Sequence, residues 1–174
     1  MSHNKTEKKS AEVELPLDHP SRRRLPPLLR ECWMRLNYTL MRRLADLKLS
    51  PDQYVVLRWL AEAIASGLPG LSQKDLCERM TSDPNTIAAM MGRMEKAALI
   101  RRVPDPADRR RRIVSPTAEG RKVFKLARAR ALALEDEALR GLSGDERAQF
   151  IDVLASLAQS CHDARKRKPE HPAR

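Results

Sequence analysis

Residues 71–120 read LSQKDLCERM, TSDPNTIAAMMGRMEKAALI and RRVPDPADRRRRIVSPTAEG, and this stretch decides the fold. Ser72 followed three residues later by Asp75 has the spacing of a helix cap, and Asp83-Pro84 begins a second helix. Two predicted strands, over residues 100–103 and 112–115, enclose a loop that ends in a run of arginines. Two short helices followed by a basic hairpin predict a winged helix-turn-helix.

The second of these helices, predicted over residues 83–98, has two contrasting faces. Its apolar residues recur with helical period and are Ile87, Met90, Met91, Met94 and Ala98. The opposite face is small and polar at its start and basic further on, with Asn85, Ala88, Ala89, Gly92, Arg93 and Lys96. Small side chains allow a helix to lie deep in the major groove, where alanine and thymine methyls meet and asparagine pairs with adenine. This face therefore predicts a recognition helix.

Capped and periodic segments on both sides predict four further helices. Their predicted starts are Pro26-Pro27, Ser50 with Gln53, Thr117, and Ser143 with Glu146. Their predicted buried stripes are Leu29, Cys32, Trp33, Leu36, Leu40, Leu44 and Leu47; then Tyr54, Leu57, Leu60, Ala61 and Ile64; then Val123, Phe124, Ala127, Ala131 and Leu134; and last Phe150, Ile151, Leu154, Leu157, Ala158 and Cys161.

Composition favours a helical and basic protein. Of 174 residues, 41% are hydrophobic and only 3% are aromatic, which favours helices over sheet sandwiches. The net charge of +11 indicates a polyanionic partner such as nucleic acid, although a solvated basic surface would give the same total. The three cysteines lie far apart, as expected in a reducing cytoplasm, and we expect neither a signal peptide nor a membrane span.

The predicted folded part does not contain the residues that usually carry catalysis. All four histidines, His3, His19, His162 and His171, lie in or beside the predicted tails. Motifs for dinucleotide, phosphate-loop, serine hydrolase or zinc peptidase chemistry do not occur. We therefore expect no enzyme, no cofactor and no metal.

Three motifs resemble the multiple antibiotic resistance regulator (MarR) family of winged helix-turn-helix transcriptional regulators. They are MEKAALIRR at residues 94–102, DPADRR at residues 105–110 and SPTAEG at residues 115–120. They correspond to the end of the recognition helix, the wing, and the exit from the wing. The likeness extends over about residues 28–161, with Ala98 where the family has glycine and Pro116 where it has leucine.

The resemblance implies a mainly α fold with a small β-wing, and a homodimer on a pseudo-palindromic double-stranded DNA operator. Within a domain over residues 21–165, residues 50–116 would be the winged helix-turn-helix. Residues 21–49 and 117–163 would supply dimerisation helices, the first, fifth and sixth. The recognition helix would enter the major groove and the wing, residues 103–112, the minor groove. Residues 1–20 are predicted to be a flexible arm, and residues 166–174 a basic tail.

Three groups of residues are candidates for DNA contact. They are Ser72, Gln73 and Lys74 at the start of the third helix; Asn85, Thr86, Ala88, Ala89 and Arg93 on the recognition helix; and Asp108, Arg109, Arg110 and Arg111 in the wing, where Asp108 would orient an arginine. Simpler roles stay open. A wing arginine could only pair with an aspartate, Ser72 could only cap its helix, and the recognition helix could meet phosphate through backbone amides alone.

The family usually represses transcription and often responds to small aromatic anions or oxidants, and the first two helices offer candidates for such a signal. Trp33, Arg35, Tyr38 and Arg58 could form an aromatic and cationic pocket for an aromatic carboxylate, although dimer core is the more usual place for an aromatic side chain such as Trp33. Cys32 could be a redox sensor or a buried, inert thiol. Two other functions remain: an architectural or adaptor winged helix without an effector, and an activator rather than a repressor.

Overall fold

The computed structural model describes residues 25–110 and 112–166. They divide into two units. The described part of the first unit, residues 25–36, is the N-terminal portion of helix α1 (Leu25–Leu44), and all of its side chains are exposed. The second unit begins at Asn37 and contains every other described element. The predicted arm lies outside the described residues, and the predicted tail does so from residue 167, because Lys166 still belongs to the last helix.

The predicted mainly α fold with a small β-wing is confirmed. After α1 and a 3-10 turn (Ala45–Leu47) come α2 (Pro51–Ala65), β1 (Leu71–Ser72), α3 (Gln73–Met80), α4 (Pro84–Lys96), β2 (Ile100–Pro104), β3 (Arg112–Pro116), α5 (Ala118–Ala138) and α6 (Gly144–Lys166). Each predicted cap is formed: the capping serines, aspartate and threonine of α2 to α6 accept hydrogen bonds from backbone amides of the first turn.

The wing hairpin belongs to a three-stranded antiparallel sheet with the order β1-β3-β2. Pairing of β2 with β3 places Ile100 opposite Pro116, and pairing of β1 with β3 places Leu71 opposite Val114. Strand β1 was not predicted because two residues carry no alternating pattern. It lies so close to β3 that a Cβ on Gly70 would be 2.3 Å from the carbonyl oxygen of Val114. Glycine is therefore required where β1 begins.

The head, which we define as residues 50–116, contains most of the core. The apolar face predicted for α4 is confirmed, since Ile87, Met90, Met91 and Met94 are all buried. They pack in one cluster with α2, α3, the sheet and α5. In α5, Val123 and Ala127 are buried while Phe124, Ala131 and Leu134 are half-buried. Helices α3 and α4 are thus packed on this core, and the opposite face of α4 is exposed.

Two predicted core positions in the head are wrong. Ile64 is 43% exposed, because it lies in the last turn of α2, and Val56 and Ala63 are buried instead. Ala98 is exposed because α4 ends at Lys96. Ala98 adopts a left-handed φ of 55°, the region that favours glycine, which agrees with the glycine that the family has here.

The apolar stripes predicted for α1 and α6 are largely exposed in the single chain. Trp33 in α1 is 57% exposed, and among the predicted residues of α1 only Leu44 is fully buried. In α6, Phe150, Ile151 and Leu154 are exposed, as is Val153 beside them. The residues recur with helical period as predicted, but most of these side chains are left uncovered by the residues that the structure describes.

An arginine of α5 ties this helix to the end of α1. Arg130 Nη2 donates to Asp46 Oδ2 at 2.8 Å, and Arg130 Nη1 donates to Asp46 Oδ1 and to the carbonyl oxygen of Arg43. The bond from Arg130 lowers the pKa of Asp46 below its ordinary value. Arg43 in turn donates to Glu137 of α5 at 2.6 Å.

Candidate nucleic-acid interface

The start of α4 is organised by Asp83. Its Oδ1 accepts from the backbone amides of Asn85 and Thr86, each at 3.0 Å, and its Oδ2 accepts from the Thr86 hydroxyl at 2.5 Å. These bonds, that of the hydroxyl above all, lower the pKa of Asp83 below its ordinary value. Pro84 has no amide proton. In this arrangement the amides of Asn85 and Thr86 are already occupied by Asp83.

The face of α4 predicted to meet DNA is open to solvent. Asn85, Thr86, Ala89, Arg93 and Lys96 are exposed, and Ala88 and Gly92 are half-buried. A Cβ added to Gly92 would meet no atom within 4 Å. Side chains therefore project little from the middle of this face. An amide side chain lies at its start and cationic side chains lie at its end.

The three candidates at the start of α3 differ in what their side chains do. Ser72 is buried, and its hydroxyl caps α3 by accepting from Asp75 N at 3.1 Å. Gln73 Nε2 donates to the carbonyl oxygen of Pro84 at 3.2 Å, which links α3 to the start of α4. Lys74 is 85% exposed and lies 4.0 Å from Glu78. Of the three, Lys74 is the best placed for a phosphate.

The wing tip is stiffened by its aspartates through the backbone. Asp105 Oδ1 accepts from Ala107 N at 2.9 Å, and Asp108 Oδ1 accepts from Arg110 N at 3.0 Å. Arg109 and Arg110 are exposed, and in the described part of the chain neither forms an ion pair. Asp108 thus positions Arg110 through its amide and leaves the guanidinium free. Arg111 lies outside the described residues.

Two further wing arginines were not among the predicted contacts. Arg101 on β2 and Arg112 on β3 are exposed, so the basic surface continues from the tip along the strands. Arg102 instead lies 3.5 Å from Glu95 and joins the wing to the end of α4. The sequence signals this surface through six arginines, at residues 101–102 and 109–112, but the predicted wing contacts were confined to residues 108–111.

A second feature of the same unit is a cleft of about 440 Å³ between α2 and α5. Tyr54 and Phe124 stack on its wall, with ring centroids 5.9 Å apart and an interplanar angle of 22°. Arg58, Glu62, Arg128 and Glu135 surround the rings. Burial raises the pKa of Tyr54, so its hydroxyl stays protonated. Arg58 Nε donates to Glu62 at 2.8 Å.

The residues predicted to bind or sense a signal do not all lie at the α2–α5 cleft. Arg58 lines the cleft, whereas Tyr54, Phe124 and Arg128 were missed because their periodic spacing marked them only as core or surface. Trp33 and Tyr38 are exposed on α1, and Arg35 Nε donates to Glu31 at 3.0 Å. Cys32 is also exposed, so the description of a buried thiol does not fit it in this single chain.

Within residues 25–110 and 112–166, no cluster of histidine, cysteine, aspartate or glutamate could hold a metal ion. None of the helices described is both long and apolar enough to cross a membrane.

A helix-turn-helix with an exposed small and polar face, followed by an arginine-tipped hairpin, defines a winged helix-turn-helix DNA-binding protein. The sequence pattern of the MarR family matches residues 49–111. The chain is also 38% identical over 109 residues to the transcriptional regulator HosA of Escherichia coli O111:H-, which covers 63% of this chain and 77% of HosA. The chain belongs to the MarR family, and it is a transcriptional regulator rather than an enzyme.

Solved structures agree with this assignment. CouR of Rhodococcus jostii RHA1, solved with bound p-coumaroyl-CoA, superimposes with a TM-score of 0.70 at 27% identity, over 77% of this chain and 91% of CouR. MepR of S. aureus, solved in complex with DNA, superimposes with a TM-score of 0.68 at 21% identity, over 77% of this chain and 94% of MepR. At that identity MepR supports the fold alone.

Proposed function

We propose that this chain acts as a homodimeric repressor on a pseudo-palindromic DNA operator and is released by a small aromatic anion. Each α4 would enter the major groove, and each wing the flanking minor groove. The observation that carries the proposal is that two exposed features occur together. One is the α4 face of small and polar side chains, and the other is a wing tip whose Arg109 and Arg110 have no ion pair among the described residues. Both features are unexplained by the folding of the chain itself.

On α4, the side chains divide between base and phosphate contacts. Asn85 would pair with an adenine, since its amide offers a donor and an acceptor together. Ala88 and Ala89 would let the helix lie deep in the groove, and Arg93 and Lys74 would contact phosphates. Ser72 and Gln73 would support these contacts by holding α3 and α4 in place.

In the wing, arginine is suited to the minor groove because a narrow groove concentrates negative potential. Arg109, Arg110 and Arg111 would contact the groove or its phosphates, with Asp108 fixing the backbone of Arg110. The exposed Arg101 and Arg112 would extend phosphate contact along the strands.

A homodimer accounts for the apolar face of α6. Phe150, Ile151, Val153 and Leu154 are between 38% and 62% exposed, and large exposed apolar patches of this kind mark protein interfaces. A second copy would bury this face and the exposed stripe of α1, including Trp33. Twofold symmetry would then present two α4 helices to two half-sites.

The α2–α5 cleft is the proposed effector site. Its volume is within the range of small-molecule pockets, about 300–1,000 Å³. An aromatic ring would pack on Tyr54 and Phe124, and a carboxylate would pair with Arg58 or Arg128. CouR, which was solved with an aromatic acyl thioester, supports a ligand of this type. Oxidation of the exposed Cys32 is the alternative signal.

Selection of bound DNA from a random pool, followed by footprinting, tests the DNA part of the proposal. Two half-sites about one helical turn apart are expected. With the selected duplex, Arg110→Ala should lower the salt dependence of log K by about one unit per subunit. Arg140→Ala, which removes an exposed arginine elsewhere, is the matched control. An unchanged salt slope for Arg110→Ala, or binding that is indifferent to sequence, would favour an architectural protein instead.

A reporter gene with the selected operator over its promoter tests the direction of control. Loss of the protein should raise expression, whereas a fall would identify an activator. The effector is tested with aromatic acids, which should weaken operator binding by the wild type but not by Arg128→Ala. Peroxide tests the alternative, because loss of operator binding that Cys32→Ser prevents would identify oxidation as the signal.

A further inference from the structure

Thr86 lies on the exposed side of the first turn of α4, and its hydroxyl is already engaged. Thr86 Oγ1 donates to Asp83 Oδ2 at 2.5 Å, while the Thr86 amide donates to Asp83 Oδ1 at 3.0 Å. A threonine hydroxyl has a single proton to donate. That proton is used within the protein, so Thr86 has none to offer to a base or a phosphate.

The same bond fixes the rest of the side chain. A β-branched residue is stiff about χ1, and both substituents on its Cβ move together. With Oγ1 held by Asp83, the Cγ2 methyl of Thr86 has a fixed direction as well. On an exposed residue this methyl becomes a rigid apolar contact point.

Asp83 is suited to this role because it stays ionised. The hydrogen bonds from Thr86 and Asn85 hold the pKa of Asp83 below its ordinary value, and an ionised carboxylate only accepts hydrogen bonds. The positive end of the helix dipole favours the charge at this position. The direction of the bond between Thr86 and Asp83 is therefore fixed, with threonine as the donor.

We propose that Asp83 is a positioning residue that holds Thr86 so that its methyl group reads the 5-methyl group of a thymine in the operator. This inference rests on the proposed placement of α4 in the major groove. Thymine is distinguished there by its methyl group, which aliphatic side chains contact. Ala89, which lies three residues further along α4 and is exposed, offers a second methyl without any hydrogen-bonding group.

The test uses the duplex that the wild-type protein selects from a random pool. Thymines are replaced one at a time by uracil, which removes the methyl and keeps base pairing. At one position in each half-site, wild-type affinity should fall by about fourfold, the equivalent of one buried methyl group of about 0.8 kcal/mol. The ratio of affinities for the thymine and uracil duplexes at that position is the readout.

Three variants separate the methyl from the hydroxyl. Thr86→Ser keeps the hydroxyl and removes the methyl, so its thymine-to-uracil ratio should fall to about one. Thr86→Val keeps a methyl but removes the hydroxyl that Asp83 holds, so its ratio should lie between those of Thr86→Ser and the wild type. Asp83→Asn keeps a good helix cap but replaces one acceptor oxygen with a donor, so the ratio should fall while the melting temperature is nearly unchanged.

A purely structural role for Asp83 would lower affinity for both duplexes equally and leave the ratio intact. That result, or a retained ratio in Thr86→Ser together with lost binding in Thr86→Val, would overturn the inference. Operator selection without any thymine-to-uracil effect would overturn this inference alone. A wild-type protein that selects no operator would overturn the proposed function as well.

Discussion

Helices α4 and α6 have the same local sequence signals, but their apolar faces lie in opposite environments. Each begins at a side-chain cap and carries an apolar stripe of helical period. In α4 the stripe is buried, with Ile87, Met91 and Met94 fully covered, whereas in α6 Phe150 is 45% exposed and Val153 is 62% exposed. Caps and periodicity decide whether a helix forms, but the packing partner decides which side chains are buried. For α6 we propose that this partner is a second copy of the chain.

The largest effects should come from leucine truncations that compare the two environments directly. Leu76 of α3 is fully buried in the head, and Leu76→Ala should cost about 2–5 kcal/mol through lost contacts and a cavity. Leu154 of α6 is 38% exposed, so Leu154→Ala should destabilise only the proposed dimer. Urea unfolding at several protein concentrations measures both.

The concentration dependence separates the two mechanisms. The loss in Leu76→Ala should be the same at every concentration, because its contacts lie within one chain. The loss in Leu154→Ala should shrink on dilution, because stability gained from association follows mass action. If Leu154→Ala remained equally costly at the lowest concentration, α6 would be packed within a single chain, and the contrast with α4 would disappear.

Two glycines extend the comparison to how closely each helix packs against neighbouring backbone. A Cβ on Gly120 of α5 would lie 1.9 Å from the carbonyl oxygen of Leu99, so Gly120→Ala should cost about 1–3 kcal/mol by overpacking. A Cβ on Gly144, at the start of α6, would meet nothing within 4 Å. Gly144→Ala should therefore change stability by about 0.5 kcal/mol or less. Equal losses in thermal unfolding would show that α5 does not dock closely on the head.

The features that sequence predicted well are local. The caps at Ser50, Ser72 and Asp83 and the apolar face of α4 depend on residues within one or two turns. Strand β1 and its required Gly70 were missed because the close approach to Val114 is tertiary. Ile64 has the right helical phase, but its exposure depends on where neighbouring elements end.

The candidate site follows the same division. The face of α4 and the wing arginines could be read from spacing and charge. The α2–α5 cleft could not, because Tyr54 and Phe124 meet only after two helices 70 residues apart in sequence have packed. The bond from the Arg110 amide to Asp108 was also beyond prediction in detail, since the family resemblance implied an aspartate that orients an arginine without specifying backbone or side chain.

Backbone strain is a further difference between the two regions. The head contains Thr81 and Ala98 at positive φ, whereas the described residues of α6 contain no such position. Ala98→Gly should stabilise the protein by about 0.5–1 kcal/mol, because glycine adopts the left-handed conformation without penalty. Its neighbour Ala97 has a φ of −81°, so Ala97→Gly should instead destabilise by about 0.5–1 kcal/mol. Melting temperatures that moved in the same direction for both variants would exclude strain as the cause.

The smallest effects should come from two exposed carboxylates, compared by pH. Asp46 joins two packed elements through Arg130, and Glu146 caps α6 by accepting from Ser143. Both have a pKa lowered from the ordinary values of 3.8 and 4.5, Asp46 by the Arg130 side chain and Glu146 by the Ser143 amide. A carboxyl whose folded pKa is depressed contributes stability above its ordinary pKa and loses it as the pH falls through the folded value.

Thermal unfolding of Asp46→Asn and Glu146→Gln from neutral to acid pH distinguishes these roles. Near neutral pH both variants should be less stable than the wild type, and the gap should close as the pH falls below about 3.8 for Asp46 and 4.5 for Glu146. Asp46→Asn should have the larger gap, because Asp46 joins parts of the chain far apart in sequence, whereas loss of the Glu146 cap only frays the first turn of α6. A gap for Asp46→Asn that persisted in acid would mean that the variant disturbs packing rather than the ion pair. Screening by salt should reduce the gap for Asp46 more than the gap for Glu146, since an exposed ion pair is screened while a cap formed with neutral groups is screened less.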